Sequence, residues 1–191
     1  MKNASVAISA FSICLNISAW AFMIFLGFLI GVSVRVSNEL GRGNAKAAKF
    51  SIKVIMSTSV SIGVFFWIFC LVFDSQIAHI FTSEEDIAEE VASLSVLLAF
   101  TILLSSIQPV LSGVAVGAGR QSMVAYVNIG CYYVIGVPLG VVLGYVANLQ
   151  VQGIWIGMTI GGAMQTLVLG VITYRTNWDE QVLKASKRLG A

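Results

Sequence analysis

The sequence has 191 residues, of which 58% are apolar and only 10% are charged, and its mean hydropathy is +0.91. Soluble domains are roughly 45–50% apolar and about 25% charged, and disordered chains are poorer still in apolar residues, so both classes are excluded. A net charge of +2 is too small to indicate a nucleic-acid partner, and the composition is that of a protein embedded in a lipid bilayer.

Uncharged intervals mark the segments that can cross the membrane, because about 20 apolar residues in a helix span the ~30 Å hydrocarbon layer. Such intervals occur at 3–34, 54–73, 91–119 and 121–174. The last is long enough for two crossings and contains a turn-like stretch at 148–153. The sequence therefore predicts an all-α, polytopic membrane helix bundle of five transmembrane helices at 1–174 and a cytoplasmic tail at 175–191, with spans at about 6–34, 48–73, 88–116, 122–146 and 152–174.

The basic residues predict the orientation, because short cytoplasmic loops carry an excess of Lys and Arg. With five spans, only Lys2 falls on one side of the membrane, together with the acidic segment 74–90 between the second and third spans. We therefore expect the N-terminus outside or in a lumen and the C-terminus in the cytoplasm. The cytoplasmic side then carries Arg35, Arg42, Lys46, Lys49, Lys53, Arg120, Arg175, Lys184, Lys187 and Arg188.

Small residues and prolines indicate how the helices pack and bend. Glycines four residues apart allow helix backbones to approach closely in lipid, and this spacing predicts packing contacts at Gly27, Gly31, Gly113, Gly117, Gly136 and Gly140. Pro109 and Pro138 fall inside spans, where each leaves the carbonyl four residues earlier without its helical donor. We expect both prolines to act as conformational hinges.

Polar side chains within the spans allow two interpretations. Either they form interhelical hydrogen bonds, which average about 0.6 kcal/mol in measured bundles, or they line a shared cavity for an organic substrate. The candidates for the cavity are Asn16, Ser105, Gln108, Tyr126, Asn128 and Tyr132.

The middle of the predicted spans contains no acidic residue and no histidine. Proton and ion relays usually use Asp, Glu or His, and here Glu89 and Glu90 lie only at a mouth of the bundle. The three cysteines occur singly in apolar runs, and no set of residues with catalytic or metal-ligand spacing is recognisable. We therefore expect no enzyme activity, no metal site and no cofactor.

Four segments carry a family resemblance that extends over nearly the whole chain. They are 27–49 (GFLIGVSVRVSNELGRGNAKAAK), 108–119 (QPVLSGVAVGAG), 125–140 (AYVNIGCYYVIGVPLG) and 151–157 (VQGIWIG). In order and spacing they resemble the plant branch of the MATE family, the multidrug and toxic compound extrusion transporters. The resemblance implies a fold of twelve helices in two lobes, of which this sequence is similar to the last five. It thus corresponds to an incomplete C-terminal lobe.

The same resemblance implies a cation-coupled antiporter, proton-driven rather than sodium-driven in most plant members, that exports organic cations, xenobiotics or secondary metabolites. Many members carry a coupling carboxylate on the seventh helix, outside the similar region. Some carry a second acid at the position occupied here by Ser105. Arg42 and Arg120 also depart from the plant pattern, which tends to have a small residue and a tryptophan there. These departures put a coupling role of this chain in question.

Two hypotheses follow. The first is a C-terminal part of a MATE-type exporter in the vacuolar or plasma membrane, which moves small organic substrates by alternating access. A coupling cation, H⁺ in preference to Na⁺, is then a partner only of a complete transporter, and no nucleic acid is involved. The alternative is a truncated, non-transporting membrane protein that is inert or pairs with full-length transporters.

Overall fold

The computed structural model describes the backbone of residues 2–189 and the side chains of residues 5–187. Throughout this part of the chain the regular structure is helical, in the order α1 (Lys2–Gly41), α2 (Ala45–Val72), α3 (Asp74–Phe81), α4 (Glu85–Gly117), α5 (Gln121–Val146), α6 (Gln150–Arg175) and α7 (Trp178–Leu189). Five of these helices, α1, α2, α4, α5 and α6, are long and apolar enough to cross a membrane. The predicted all-α bundle of five transmembrane helices is confirmed, and the chain is an integral, multi-pass membrane protein.

Short local signals set the turns between the helices. The Asn44 side chain accepts a hydrogen bond from the Ala47 amide at 2.9 Å and so caps the start of α2. Gly43 has φ of 77° and Gly119 has φ of 74°, a left-handed backbone that glycine adopts without steric cost. These residues allow the chain to reverse between α1 and α2 and between α4 and α5.

Helix α4 is the centre of the bundle and packs against α1, α2, α3, α5 and α6. On its α1 and α2 side it meets an apolar core that includes Phe25, Leu98 and Ile102 near one end and Val36 and Val114 near the other. Helix α5 lies at the periphery and contacts mainly α6. The bundle therefore has a thick apolar half around α1, α2 and α4 and a thinner half formed by α4, α5 and α6.

Two helices were not expected from the sequence. Helix α3 lies in the acidic segment between α2 and α4 and packs on α4. Helix α7 lies in the tail, where Trp178 is buried beside Ala45 and Ala48 of α2 and Val36 of α1. Helix α7 is therefore part of the apolar half and closes one end of it.

Helix α5 contains two π-helical stretches, Gly130–Gly136 and Val142–Val146. In the first, the Val137 amide donates to the Tyr132 carbonyl, five residues earlier. Pro138 follows at once and lacks an amide hydrogen, so a change of helical period coincides with the position of the missing donor. By contrast, α4 remains α-helical through Pro109, which is buried.

Candidate functional site

A small cavity lies between α4, α5 and α6, with a volume of about 130 Å³. Its apolar lining comes from Leu104, Trp155 and Met158. Its polar lining comes from hydroxyl and amide side chains on all three helices, namely Thr101, Ser105, Gln108, Tyr132 and Thr159. Ligand pockets commonly measure about 300–1,000 Å³, so this cavity is smaller than a pocket that encloses a whole organic ligand.

Gln108 is the centre of the polar network. Its Nε2 donates to Gln165 Oε1 at 2.8 Å, and its Oε1 accepts from the Tyr132 hydroxyl at 3.4 Å. Gln165 is only 1% exposed, so its amide depends on partners within the protein. One side chain on α4 thus connects a buried residue of α6 to an aromatic residue of α5.

The threonine and serine hydroxyls of the cavity donate to their own helices. Thr101 donates to the Leu97 carbonyl at 2.8 Å, Thr159 to the Trp155 carbonyl at 2.9 Å and Ser105 to the Thr101 carbonyl at 2.9 Å. The Thr101 and Thr159 oxygens lie 3.3 Å apart. Because a hydroxyl has one hydrogen and two lone pairs, these side chains retain acceptor capacity toward the cavity. The site therefore favours ligands that donate hydrogen bonds.

Helix periodicity explains how these residues come together. Thr101, Ser105 and Gln108 are spaced i, i+4 and i+7 on α4, which places them on one face. Trp155, Thr159 and Gly162 have the same spacing on α6. A Cβ on Gly162 would lie 3.1 Å from the Tyr132 hydroxyl oxygen, so the glycine leaves room for that hydroxyl next to Gln108.

The structure brings three of the six predicted cavity residues together, namely Ser105, Gln108 and Tyr132. Asn16, Tyr126 and Asn128 lie apart from them and are exposed. The Asn16 amide donates to the Ser12 carbonyl of its own helix at 2.9 Å, and the Tyr126 side chain is 75% exposed. In this chain these three residues do not line the cavity, because helices α1 and α5 turn other faces toward their neighbours.

Sequence reasoning missed Thr101, Trp155 and Thr159 as cavity residues and did not select Gln165. The i, i+4, i+7 spacing of polar residues on α4 was the available signal for Thr101. The partner of Gln165 is 57 positions away in the sequence, so no local pattern connects the two glutamines.

Glycines hold the walls of the cavity close together. A Cβ on Gly157 of α6 would lie 2.8 Å from the Gly136 carbonyl oxygen of α5, and one on Gly140 would lie 3.1 Å from the Ile154 carbonyl oxygen of α6. Such distances are below van der Waals contact, so the α5–α6 interface requires residues without side chains. The two backbones pack directly against each other.

The predicted packing glycines on α4 and α1 differ from each other. A Cβ on Gly117 would lie 2.6 Å from the Ser33 carbonyl oxygen of α1, and one on Gly113 would collide with the Leu29 carbonyl oxygen. At Gly27 and Gly31 of α1, a Cβ would meet no atom within 4 Å. The expected contact at these two residues is not formed within the described chain, because α1 turns the side that carries Phe25 and Val32 toward the bundle.

The cavity is uncharged. Among the residues whose side chains are described, no Asp, Glu or His lines it, and no three His, Cys, Asp or Glu residues are grouped to hold a metal ion. Its chemistry consists of hydrogen bonds from neutral groups and contact with the Trp155 ring.

Comparisons with known proteins agree with this architecture. The MatE family model matches residues 2–142. Protein DETOXIFICATION 22 from Arabidopsis thaliana is 57% identical over 99% of this chain, and Protein DETOXIFICATION 20 from the same plant is 58% identical over 95% of it. The chain spans only 38% and 37% of the length of these two relatives.

Solved structures give the same result. The crystal structure of the eukaryotic MATE transporter AtDTX14 is similar over 98% of this chain and 42% of that one, with a TM-score of 0.86 and 33% identity. An inward-facing multidrug resistance MATE transporter of the MOP superfamily has a TM-score of 0.74 and 21% identity over 98% of this chain and 44% of its own, and it shows the shared fold alone.

Proposed function

The chain belongs to the MatE family, and from that premise we propose that it forms one wall of the substrate path of a MATE-type exporter. The observation that carries the proposal is the neutral polar cavity of Gln108, Ser105 and Tyr132 within an otherwise apolar bundle. A cavity of about 130 Å³ is too small for most organic compounds, so the substrate would be shared with a second wall that lies outside this chain.

The substrate class is small organic compounds, including xenobiotics and secondary metabolites. Compounds that donate hydrogen bonds suit the free acceptor positions of Thr101, Ser105 and Thr159. The Trp155 and Tyr132 rings offer faces for aromatic or cationic groups. In transport, a substrate would replace the hydrogen bonds that Gln108 now makes to Gln165 and Tyr132.

Transport would proceed by alternating access, with this bundle moving against another lobe. The π-helical segment of α5 ends directly before Pro138, so a hinge there would move Tyr132 relative to α6. Pro109 is adjacent to Gln108 and would serve the same purpose on α4. The bundle at 1–174 would lie in the vacuolar or plasma membrane, with the N-terminus outside or in the lumen and the tail at 175–191 in the cytoplasm.

The driving force would be cation antiport, with H⁺ favoured over Na⁺. Ser105 occupies the place of an acid found in some relatives, and the middle of the spans holds no carboxylate. We therefore assign coupling to a complete transporter and only the substrate wall to this chain.

A chimera tests the proposal. The part of DETOXIFICATION 22 that this chain does not match is joined to residues 1–191 and expressed in a drug-sensitive host, with the unjoined chain as the control. We expect gradient-dependent export of an organic dye from the chimera only. A chimera that reaches the membrane in normal amount but exports nothing would contradict the substrate role, and robust export by the chain alone would contradict the assignment of coupling.

The second candidate is a non-transporting membrane protein that is inert or pairs with full-length transporters. The absence of acidic residues from the middle of the spans favours it. Co-expression of the chain with DETOXIFICATION 22 separates the two functions. A pairing protein changes the export rate or the abundance of the relative, and a chain that changes neither is not a partner.

A further inference from the structure

Three lysines form a basic stripe at the start of α2. Lys46, Lys49 and Lys53 are spaced i, i+3 and i+7, so they lie within one arc of the helix, and Phe50 lies within the same arc. All four side chains are exposed, and Phe50 is 68% exposed. A large aromatic residue exposed among lysines is unusual for a purely water-facing surface.

The stripe is free of ion pairs among the described side chains. Other basic residues near the same end of the bundle are paired: Arg35 lies 3.2 Å and Arg42 3.7 Å from the carboxylate of Glu39. Lys184 lies 2.6 Å from Glu180. Asp179 shares a cleft with Lys46 but forms no salt bridge with it. Among the described side chains, the three lysines of α2 therefore have no acidic partner and can contact an external anion.

The stripe lies at the depth of the lipid headgroups. The uncharged part of α2 runs from 54 to 73, which at about 1.5 Å per residue equals the ~30 Å hydrocarbon thickness. Lys53 is then at the boundary of the hydrocarbon, and Lys46 is about 10 Å farther out along the helix axis.

Part of the same face of α2 is exposed within the membrane-spanning segment. Val64 and Ile68 continue the helical arc of Lys46 and Lys53 and are exposed by 37% and 49%. An apolar exposed face in a membrane helix contacts acyl chains. The lysines therefore stand where the headgroups of those same lipids lie, and Phe50, three residues closer to the start of the helix than Lys53, lies among them about 5 Å outside the hydrocarbon boundary.

We propose that Lys46, Lys49, Lys53 and Phe50 form a binding site for an anionic phospholipid. The three ammonium groups bind the headgroup phosphate and carboxylate, and the Phe50 ring contacts the glycerol region of the same lipid. The cytoplasmic leaflet is rich in anionic lipids, which agrees with the orientation proposed above. The site lies away from the residues of α2 that face α4, and α2 contributes no residue to the cavity between α4, α5 and α6.

Spin-labelled lipids test the site with the 191-residue chain in phosphatidylcholine vesicles. Trace amounts of spin-labelled phosphatidylserine or phosphatidylcholine report the association of each lipid with the protein. One lysine at an anionic surface contributes about a fivefold preference, so we expect the chain to favour phosphatidylserine by at least fivefold.

The deciding comparison uses two triple variants that remove the same charge. Lys46→Gln/Lys49→Gln/Lys53→Gln should reduce the preference to about one, whereas Arg175→Gln/Lys184→Gln/Lys187→Gln should leave at least half of it. Helicity by circular dichroism confirms that both variants are folded. The proposal is overturned if the wild-type chain shows no preference, if the α2 variant retains it, or if both variants lose it equally.

Discussion

The two sides of α4 differ in how they are packed. Toward α1 and α2, α4 presents Leu98, Ile102 and Val114 to fully buried side chains such as Phe25. A polar contact on this side joins the Ser59 hydroxyl to the Ser106 carbonyl at 2.6 Å. Toward α5 and α6, the same helix presents Thr101, Ser105 and Gln108 to a cavity.

This difference assigns separate tasks to the two sides. In lipid, apolar side chains gain little from burial itself, so stability depends on close packing. The α1–α2 side provides that packing, with glycines at the close contacts and large side chains between them. The α5–α6 side carries the hydrogen bonds of Gln108 to Gln165 and Tyr132, which a substrate would replace in the function proposed above. We call these the packed side and the cavity side of α4.

The largest expected effect is a loss of folded protein when the packing between α4 and α1 is disrupted. Gly113→Leu places a side chain against the Leu29 carbonyl and Val32, and such overpacking typically costs up to about 3 kcal/mol. We expect a large loss of folded protein in detergent, measured by size-exclusion chromatography. Gly31→Leu is the matched control, because it has open space and should leave the yield unchanged. Equal losses from both variants would contradict the packing geometry.

A smaller effect on the same side comes from Phe25→Ala. Phe25 is 0% exposed, and its removal leaves a cavity but little change in transfer energy, because lipid is as apolar as the protein interior. We expect a loss of about 2 kcal/mol, below the range of Phe→Ala in soluble cores. Thermal unfolding in detergent measures it. The Phe22 side chain is 39% exposed, so Phe22→Ala should lower the stability by less than half as much. An equal loss from the two variants would argue against a packed core at Phe25.

The cavity side should respond in binding more than in stability. Gln108→Ala in the chimera with DETOXIFICATION 22 removes the amide that would bind the substrate, and the loss of about 1.4 kcal/mol of hydrogen bonding should lower substrate affinity about tenfold. Affinity is measured by substrate-induced thermal stabilisation, and abundance by immunoblot. Asn128→Ala, an exposed amide on α5, is the control for removing an amide. If Gln108→Ala lowers abundance as much as affinity, the hydrogen bonds of Gln108 to Gln165 and Tyr132 serve only to hold the helices together.

The smallest expected effect lies at the edge of the packed side, in α7. A hydrogen bond from Lys184, and then its charge, lower the pKa of the exposed Glu180 carboxyl. Since the pKa is lower in the folded chain, the stabilisation is present above the ordinary glutamate pKa and is lost as the pH falls through the lowered value. Lys184→Ala should return the pKa of Glu180 to its usual range, as followed by NMR titration of the carboxyl carbon. An unchanged pKa in that variant would show that the pair does not form.

The sequence was sufficient to predict the parts of the fold that depend on the bilayer. Four uncharged runs of 20 residues or more, the last of them divided at its turn-like stretch, gave the five spans, because the hydrocarbon layer excludes charge whatever the packing. Gly136 and Gly140 were recognised by their spacing, since close contact needs the absence of a side chain. The spacing of small residues does not show which face of α1 meets the bundle. The predicted packing contacts at Gly27 and Gly31 were therefore wrong, because both glycines lie on the side of α1 that faces away from the bundle.

The candidate site was predicted only in part for a similar reason. Ser105, Gln108 and Tyr132 were selected as polar residues in apolar spans, but so were Asn16, Tyr126 and Asn128, which have the same chemistry on other faces. The rotation of a helix about its axis depends on contacts with distant parts of the chain. The Gln108–Gln165 bond depends on such contacts and has no local sequence pattern.

The distinction between the two sides of α4 can be measured with single cysteines. In the chimera, with Cys14, Cys70 and Cys131 replaced by alanine, Ser105→Cys places a thiol on the cavity side and Ser59→Cys places one on the packed side. We predict that a water-soluble thiol reagent modifies Ser105→Cys, that an exported substrate slows this reaction, and that Ser59→Cys does not react. Equal reactivity of the two thiols, or no protection of Ser105→Cys by substrate, would contradict the assignment of the cavity side to the substrate path.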